Sequence, residues 1–191
     1  MARRDDHTLA ERAQAGDREA FRELFERHHR RIYNYAAYML PSAEDAADAT
    51  QDAFVKAWRG LARLREPEAL EGWLWQIARN AVLDAARRRR AGPEEQYGED
   101  AQVALKLAAD ESDQAAPAAA LEQQELGEIV RTAIRSLPAI HREPLVMHYL
   151  QGLSIKQIAA ALEAPEGTVL SRLARGREAL KRKLGTCVSP E

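Results

Sequence analysis

A chain of 191 residues with a net charge of −2 and 46% apolar residues has material for one mid-sized or two small globular units, each with a modest core. No apolar run approaches the ~20 residues that cross a bilayer. The first residues turn polar and acidic where a secretory leader needs its apolar stretch, so neither a span nor a leader is expected. The single cysteine, Cys187, has no internal disulfide partner, which fits a reducing, cytoplasmic setting.

Strand signals are almost absent, and apolar residues recur at helical spacing instead. A short helix is expected around Leu9. Asp17, after Gly16, caps the next, whose stripe is Phe21, Leu24, Phe25, His28, Ile32, Tyr35, Ala36 and Met39. Pro41 and Ser42 break it and start a helix that turns Ala46, Ala53, Phe54, Ala57, Trp58 and Leu61 inward. A further helix runs from about Pro67 to the arginine block, burying Leu70, Trp73, Leu74, Ile77, Ala81 and Ala85. Trp73 and Trp75, two positions apart, cannot share a helix face, and the spacing assigns Trp73 to the core and Trp75 to the more exposed side. The first module is thus expected over 1–90.

Residues 91–119 are rich in Ala, Gly, Pro, Gln and acid, with few large apolar groups, and read as a flexible linker in which a short helix over Val103 to Ala109 is conceivable. Periodicity resumes with Leu121, Leu126, Ile129, Val130, Ala133, Ile134 and Leu137, then Leu145, Val146, Tyr149 and Leu150. Pro144 fits a helix there only if that helix starts a few residues earlier. Ser154 and Gln157 form a capping-box pattern ahead of Ile155, Ile158, Ala159 and Leu162. After a turn at 163–165, a last helix carries Val169, Leu173, Gly176 and Leu180 inward and Thr168, Ser171, Arg172, Arg175 and Lys181 outward. Two short helices with a tight turn, the second rich in arginine, make a helix-turn-helix whose second helix suits the major groove. The second module is expected over 120–185 and a tail over 186–191.

The near-zero total charge hides a basic–acidic–basic pattern. Arg87 to Arg90 form one basic block, and Arg172, Arg175, Arg177, Lys181, Arg182 and Lys183 another. The stretch 91–113 that follows the first block holds seven acids, from Glu94 to Asp113, with Lys106 as its only base.

GLSIKQIA at 152–159 and PEGTVLSRLARGR at 165–177 closely resemble region 4 of the extracytoplasmic-function sigma factors. AGDREAF at 15–21, DATQDAFVKAW at 48–58 and WLWQIARN at 73–80 resemble their region 2, in the family's order and spacing. The resemblance implies an all-α fold of two small helical domains joined by a flexible acidic linker. It implies a non-enzymatic transcription initiation subunit that binds core RNA polymerase and promoter DNA and is held in check by an anti-sigma factor. Asp48, Gln51, Asp52 and Val55, which share one helix face, match the polymerase-docking positions. Arg65 in the loop and Gln76, Arg79, Asn80 and Arg87 on the outer helix face match the part that handles the minus-ten element. Thr168, Ser171, Arg172 and Arg175 match positions that meet the minus-thirty-five element. One departure is Leu70-Glu71-Gly72 before the tryptophan, where the family often carries an aromatic and a base. Glu71 would repel phosphate, so it must point away or tune specificity.

No cofactor or metal site is expected. His28 and His29 project in different directions, His141 and His148 stand alone, and no Gly-rich phosphate loop or catalytic set is present. Two other readings remain open from sequence: a free-standing helix-turn-helix regulator, and an interaction module that binds protein but no promoter.

Overall fold

Breaks in the chain set the N-terminal half. In the computed structural model, which describes residues 2–91 and 117–188 and their side chains over 6–89 and 126–185, α1 (Ala2–Gln14) gives way at Gly16 (φ 95°) to α2 (Arg18–Met39). Asp17 caps α2, accepting from the amides of Glu19 (2.9 Å) and Ala20 (3.1 Å). Ser42 does the same for α3 (Ala43–Gly60) by accepting from the Asp45 amide at 3.0 Å. Short 3-10 turns at Leu61–Arg63 and Pro67–Ala69 lead into α4 (Leu70–Ala91). The linker expected over 91–119 falls almost wholly outside the described residues, and Leu121 lies on helical backbone with its side chain outside them.

The C-terminal half is α5 (Pro117–Arg135), α6 (Ala139–Leu145), α7 (Ile155–Leu162) and α8 (Glu166–Val188). Pro144 lies in the second turn of α6, and the ladder directly after it widens to a π-turn over Val146–Leu150. α8 continues to Val188, so Cys187 lies on helical backbone; its side chain is outside the described residues. Among the described residues there is no strand.

The halves share one core. Ile32, Tyr35, Ala53, Leu74 and Trp75 from the first half are continuous with Ile134, Leu145, Val146, Met147, Ile158 and Val169 from the second. α7 lies directly across α4: a Cβ built on Gly72 would stand 3.8 Å from that of Ala160. This packing reverses the expectation for the tryptophans. Trp75 is fully buried and meets Tyr35 edge-on at 5.6 Å, with the Arg31 guanidinium over its ring, while Trp73 is half-buried against Gly60. α4 buries two faces, one against α3 and one against α7, and single-helix periodicity anticipates only the first.

Other apolar positions also depart from the expected stripes. Phe25 is 38% and Trp58 40% exposed, and Leu126, Ile129, Tyr149 and Leu150 also reach the surface. The α2 and α3 stripes are wider than the α2–α3 seam can cover, leaving their flanks open. His28, by contrast, is buried as expected, with Nε2 3.0 Å from Asp6 Oδ2.

Trp75→Ala is expected to cost about 3–5 kcal/mol in urea unfolding, and Trp58→Ala about 1 kcal/mol or less. Asp6 yields a pH prediction. Burial pushes its carboxyl up, but the contacts from His28 and Arg27 outweigh that and hold it below the ordinary value. An acid depressed on folding stabilises fully above its unfolded pKa of about 3.9, and the stabilisation is lost as pH falls through the folded value. Asp6→Asn should therefore lower the melting temperature at neutral pH, with the gap to wild type closing as melts are taken below about pH 4.

Candidate nucleic-acid interface

The α7–turn–α8 unit is built from its caps. Ser154 Oγ accepts from the Gln157 amide at 3.3 Å while the Gln157 side chain accepts from the Ser154 amide at 2.8 Å, the reciprocal box read from the sequence. Glu163 ends α7 in the left-handed region (φ 50°, ψ 45°), and Pro165 leads into α8, accepting from the amides of Thr168 and Val169. Val169 and Leu173 anchor α8 inward, and Gly176 lets α6 approach so closely that a Cβ there would stand 3.0 Å from the His141 carbonyl oxygen. This fixed packing turns Ser171 and Arg175 fully outward, with Thr168 and Arg172 half-buried on the flank. The Ser171 hydroxyl donates to the Thr168 carbonyl at 2.9 Å. Among the described residues, neither Arg172 nor Arg175 is held by an ion pair, so both forks can turn to base edges or phosphates.

The face of α4 divides. Asn80 and Arg87 are exposed on the helix and Arg65 on the loop before it. Gln76 and Arg79, read from the sequence as outer-face residues, are instead covered by the C-terminal half. Arg79 Nε donates to Glu143 Oε1 at 3.0 Å, and Tyr35 donates its hydroxyl to the same oxygen at 2.7 Å. Gln76 donates to the Glu163 carboxylate. Glu71 does point away from an open DNA face: it accepts from Arg31 at 3.0 Å and from the Gln157 amide group. Arg31 also reaches the Gln151 carbonyl, and Arg135 the Ala37 carbonyl. Burial, then the charge of Glu143, pushes the Tyr35 hydroxyl well above its ordinary pKa, so it stays a donor. The contacts of Tyr35, Arg31 and Glu143 went unread in the sequence: Tyr35 reads only as one more residue of an apolar stripe, and none of the three has a local sign of its partner.

On α3, Asp48, Gln51 and Val55 are exposed on one face. Asp52 is partly covered, its carboxylate 3.3 Å from Arg88 of the basic block, and Arg89 is drawn to Asp45 in the same way. Arg87 pairs with Asp84 at 3.6 Å and remains largely exposed. Beside this face runs a groove of about 860 Å³ lined by Phe21, Phe25, Phe54, Val55 and Trp58. Phe21 and Trp58 meet at 4.8 Å and Phe25 and Phe54 at 4.7 Å. The excess of aromatics at i, i+4 spacing was its signal, read instead as core. Among the described residues no cluster of His, Cys, Asp or Glu is arranged to hold a metal, and no helix is long and apolar enough to cross a membrane.

Residues 24–92 match the family model for sigma-70 region 2, and 127–180 the model for sigma-70 region 4. The chain is an extracytoplasmic-function sigma factor. It is 38% identical over 182 residues to the ECF RNA polymerase sigma factor SigM of Mycobacterium tuberculosis, covering 95% of this chain and 86% of that one. It is 34% identical over 186 residues to the ECF RNA polymerase sigma-E factor of Escherichia coli K12, covering 94% of each. Among solved structures, CnrH in complex with the cytosolic domain of CnrY superposes with a TM-score of 0.70 at 26% identity, over 95% of this chain and 98% of that one. The match of the N-terminal half to region 2 removes the free-standing regulator, which has no use for it. Sigma factors are not enzymes in the catalytic sense.

Tyr35→Phe deletes one of two donors on the buried Glu143 oxygen while keeping the ring. We expect a loss of about 1–2 kcal/mol in urea unfolding of this sigma factor.

Proposed function

We propose that this sigma factor docks core RNA polymerase through the α3 face of Asp48, Gln51, Asp52 and Val55 and carries it to promoters read by two surfaces. Arg65, Gln76, Arg79, Asn80 and Arg87 take the minus-ten element, and Thr168, Ser171, Arg172 and Arg175 the minus-thirty-five element. Residues 1–90 act as region 2 and 120–185 as region 4, with 91–119 the acidic connector and 186–191 a tail. The observation that carries this reading is the joint presence of both sigma regions with a recognition helix whose Arg172 and Arg175 are free of ion pairs among the described residues.

The chemistry supports each role. Acidic and amide groups beside one apolar residue suit a basic partner helix, and the adjoining aromatic groove adds contact area that polar contacts alone lack. Guanidinium forks donate twice to guanine and release counterions from phosphate. The chain itself performs no chemistry, needs no cofactor, and works in the cytoplasm, where the polymerase is. The same groove suits an anti-sigma factor: CnrH is bound by the cytosolic domain of another protein, and exposed Phe25 and Trp58 offer such a segment its apolar anchors.

The test separates the two functions. Asp48→Ala/Gln51→Ala/Asp52→Ala should weaken binding to purified core by about tenfold or more, read by fluorescence anisotropy of labelled sigma factor. Arg172→Ala/Arg175→Ala should leave core affinity unchanged, yet weaken holoenzyme on promoter DNA by about 10–100-fold with a shallower salt dependence. Wild-type core affinity in the triple variant would remove the α3 assignment.

A further inference from the structure

We propose that Gln14 of α1 is a positioning residue for promoter reading, its side-chain amide bracing the loop that presents Arg65 to the minus-ten element. The inference rests on the reading of that loop given above and adds the group that sets its direction. α1 lies ahead of residues 24–92, which match the region 2 model, and none of the residues proposed to meet DNA comes from it.

The loop consists of two single 3-10 turns, Leu61–Arg63 and Pro67–Ala69, and Arg65 stands exposed between them on backbone that belongs to no helix. The Leu64 amide closes the first turn on the Leu61 carbonyl at 3.0 Å, and the Ala69 amide closes the second on the Glu66 carbonyl at 2.9 Å. A carboxamide carries two N–H donors, and Gln14 directs both to this loop. Its Nε2 donates to the Leu64 carbonyl at 2.6 Å and to the Leu61 carbonyl at 3.1 Å. The Leu64 carbonyl belongs to the planar peptide that leads into Arg65, so holding it fixes the plane from which that side chain departs.

α1 meets the loop at two further points. Leu9, Ala10 and Ala13 pack with Leu61 and Leu70 in one small buried cluster, which Leu64 joins from its edge. His7 Nε2 stands 3.1 Å from Glu68 Oε1 in the second turn. Apolar packing is non-directional and sets only how close the loop lies to α1, whereas the paired hydrogen bonds from one amide set its rotation. Gln14 is half-buried, so water can reach both carbonyls once the amide is gone. The loss then falls on the direction of the loop more than on stability.

The test uses holoenzyme assembled from purified core and the full chain. The probe is a fragment that wild-type holoenzyme recovers from a randomised promoter pool, together with versions carrying single base changes in either element. Gln14→Met keeps the length and helix preference of the side chain and removes both donors. We expect core affinity and discrimination at the minus-thirty-five element to stay at wild type, while discrimination at the minus-ten element falls about fivefold. Arg65→Ala should lower minus-ten discrimination as well, and adding Gln14→Met to it should cost nothing further, because the amide acts through the loop that presents that arginine. Wild-type discrimination in Gln14→Met, beside a loss in Arg65→Ala, would overturn the brace and leave the reading of the loop standing. Two losses that add in full, or a loss shared equally by both elements, would also overturn it by making Gln14 a general structural support. Arg65→Ala at wild-type discrimination would remove the reading of the loop, and the brace with it.

Discussion

Glu143 is only 8% exposed, and Tyr35 and Arg79 both donate to one of its oxygens. A buried carboxylate short of such donors would neutralise itself or expel the segment that carries it. The rest of the arrangement follows from meeting that demand. Tyr35 comes from α2, Arg79 from α4 and Glu143 from α6, so satisfying one acid brings three helices of both halves to one point. Trp75 then packs edge-on against Tyr35, α7 settles across α4, and the core becomes continuous from Ile32 to Leu173.

The same interaction divides the surfaces proposed for function in this sigma factor. What lies away from the seam is open: the α3 face with its aromatic groove, and the outward side of α8. What lies along the seam is engaged, including Gln76 and Arg79. The charge pattern takes on a local meaning as well. The Arg87–Arg89 block is tied down by Asp84, Asp52 and Asp45, so its positive field is partly neutralised within the molecule, whereas Arg172 and Arg175 are free of ion pairs among the described residues.

Much of this was legible in the residues. Caps and breakers are local, so Asp17, Ser42 and the Ser154–Gln157 box located helix starts without reference to the rest of the chain. The helix-turn-helix was equally readable, since the inward set of Val169, Leu173 and Gly176 fixes the outward set. Burial of Trp75 was not, because it depends on a helix about eighty residues further along the sequence, and periodicity within α4 can report only one partner face. Exposure of Phe25 and Trp58 failed for the opposite reason: aromatic spacing marks an apolar face but does not say whether its partner lies in the same chain. Glu71 was legible in part. Its sign argued that it must avoid DNA, and the structure shows Arg31 and Gln157 receiving it.

The most direct measurement is transcription by purified bacterial core RNA polymerase on a pool of promoter fragments, with and without this protein. Specific start sites should appear only when the chain is present, and the sequences upstream of them should share two elements, near minus ten and minus thirty-five. Core that binds the chain yet initiates nowhere, or starts that are the same without it, would contradict the account.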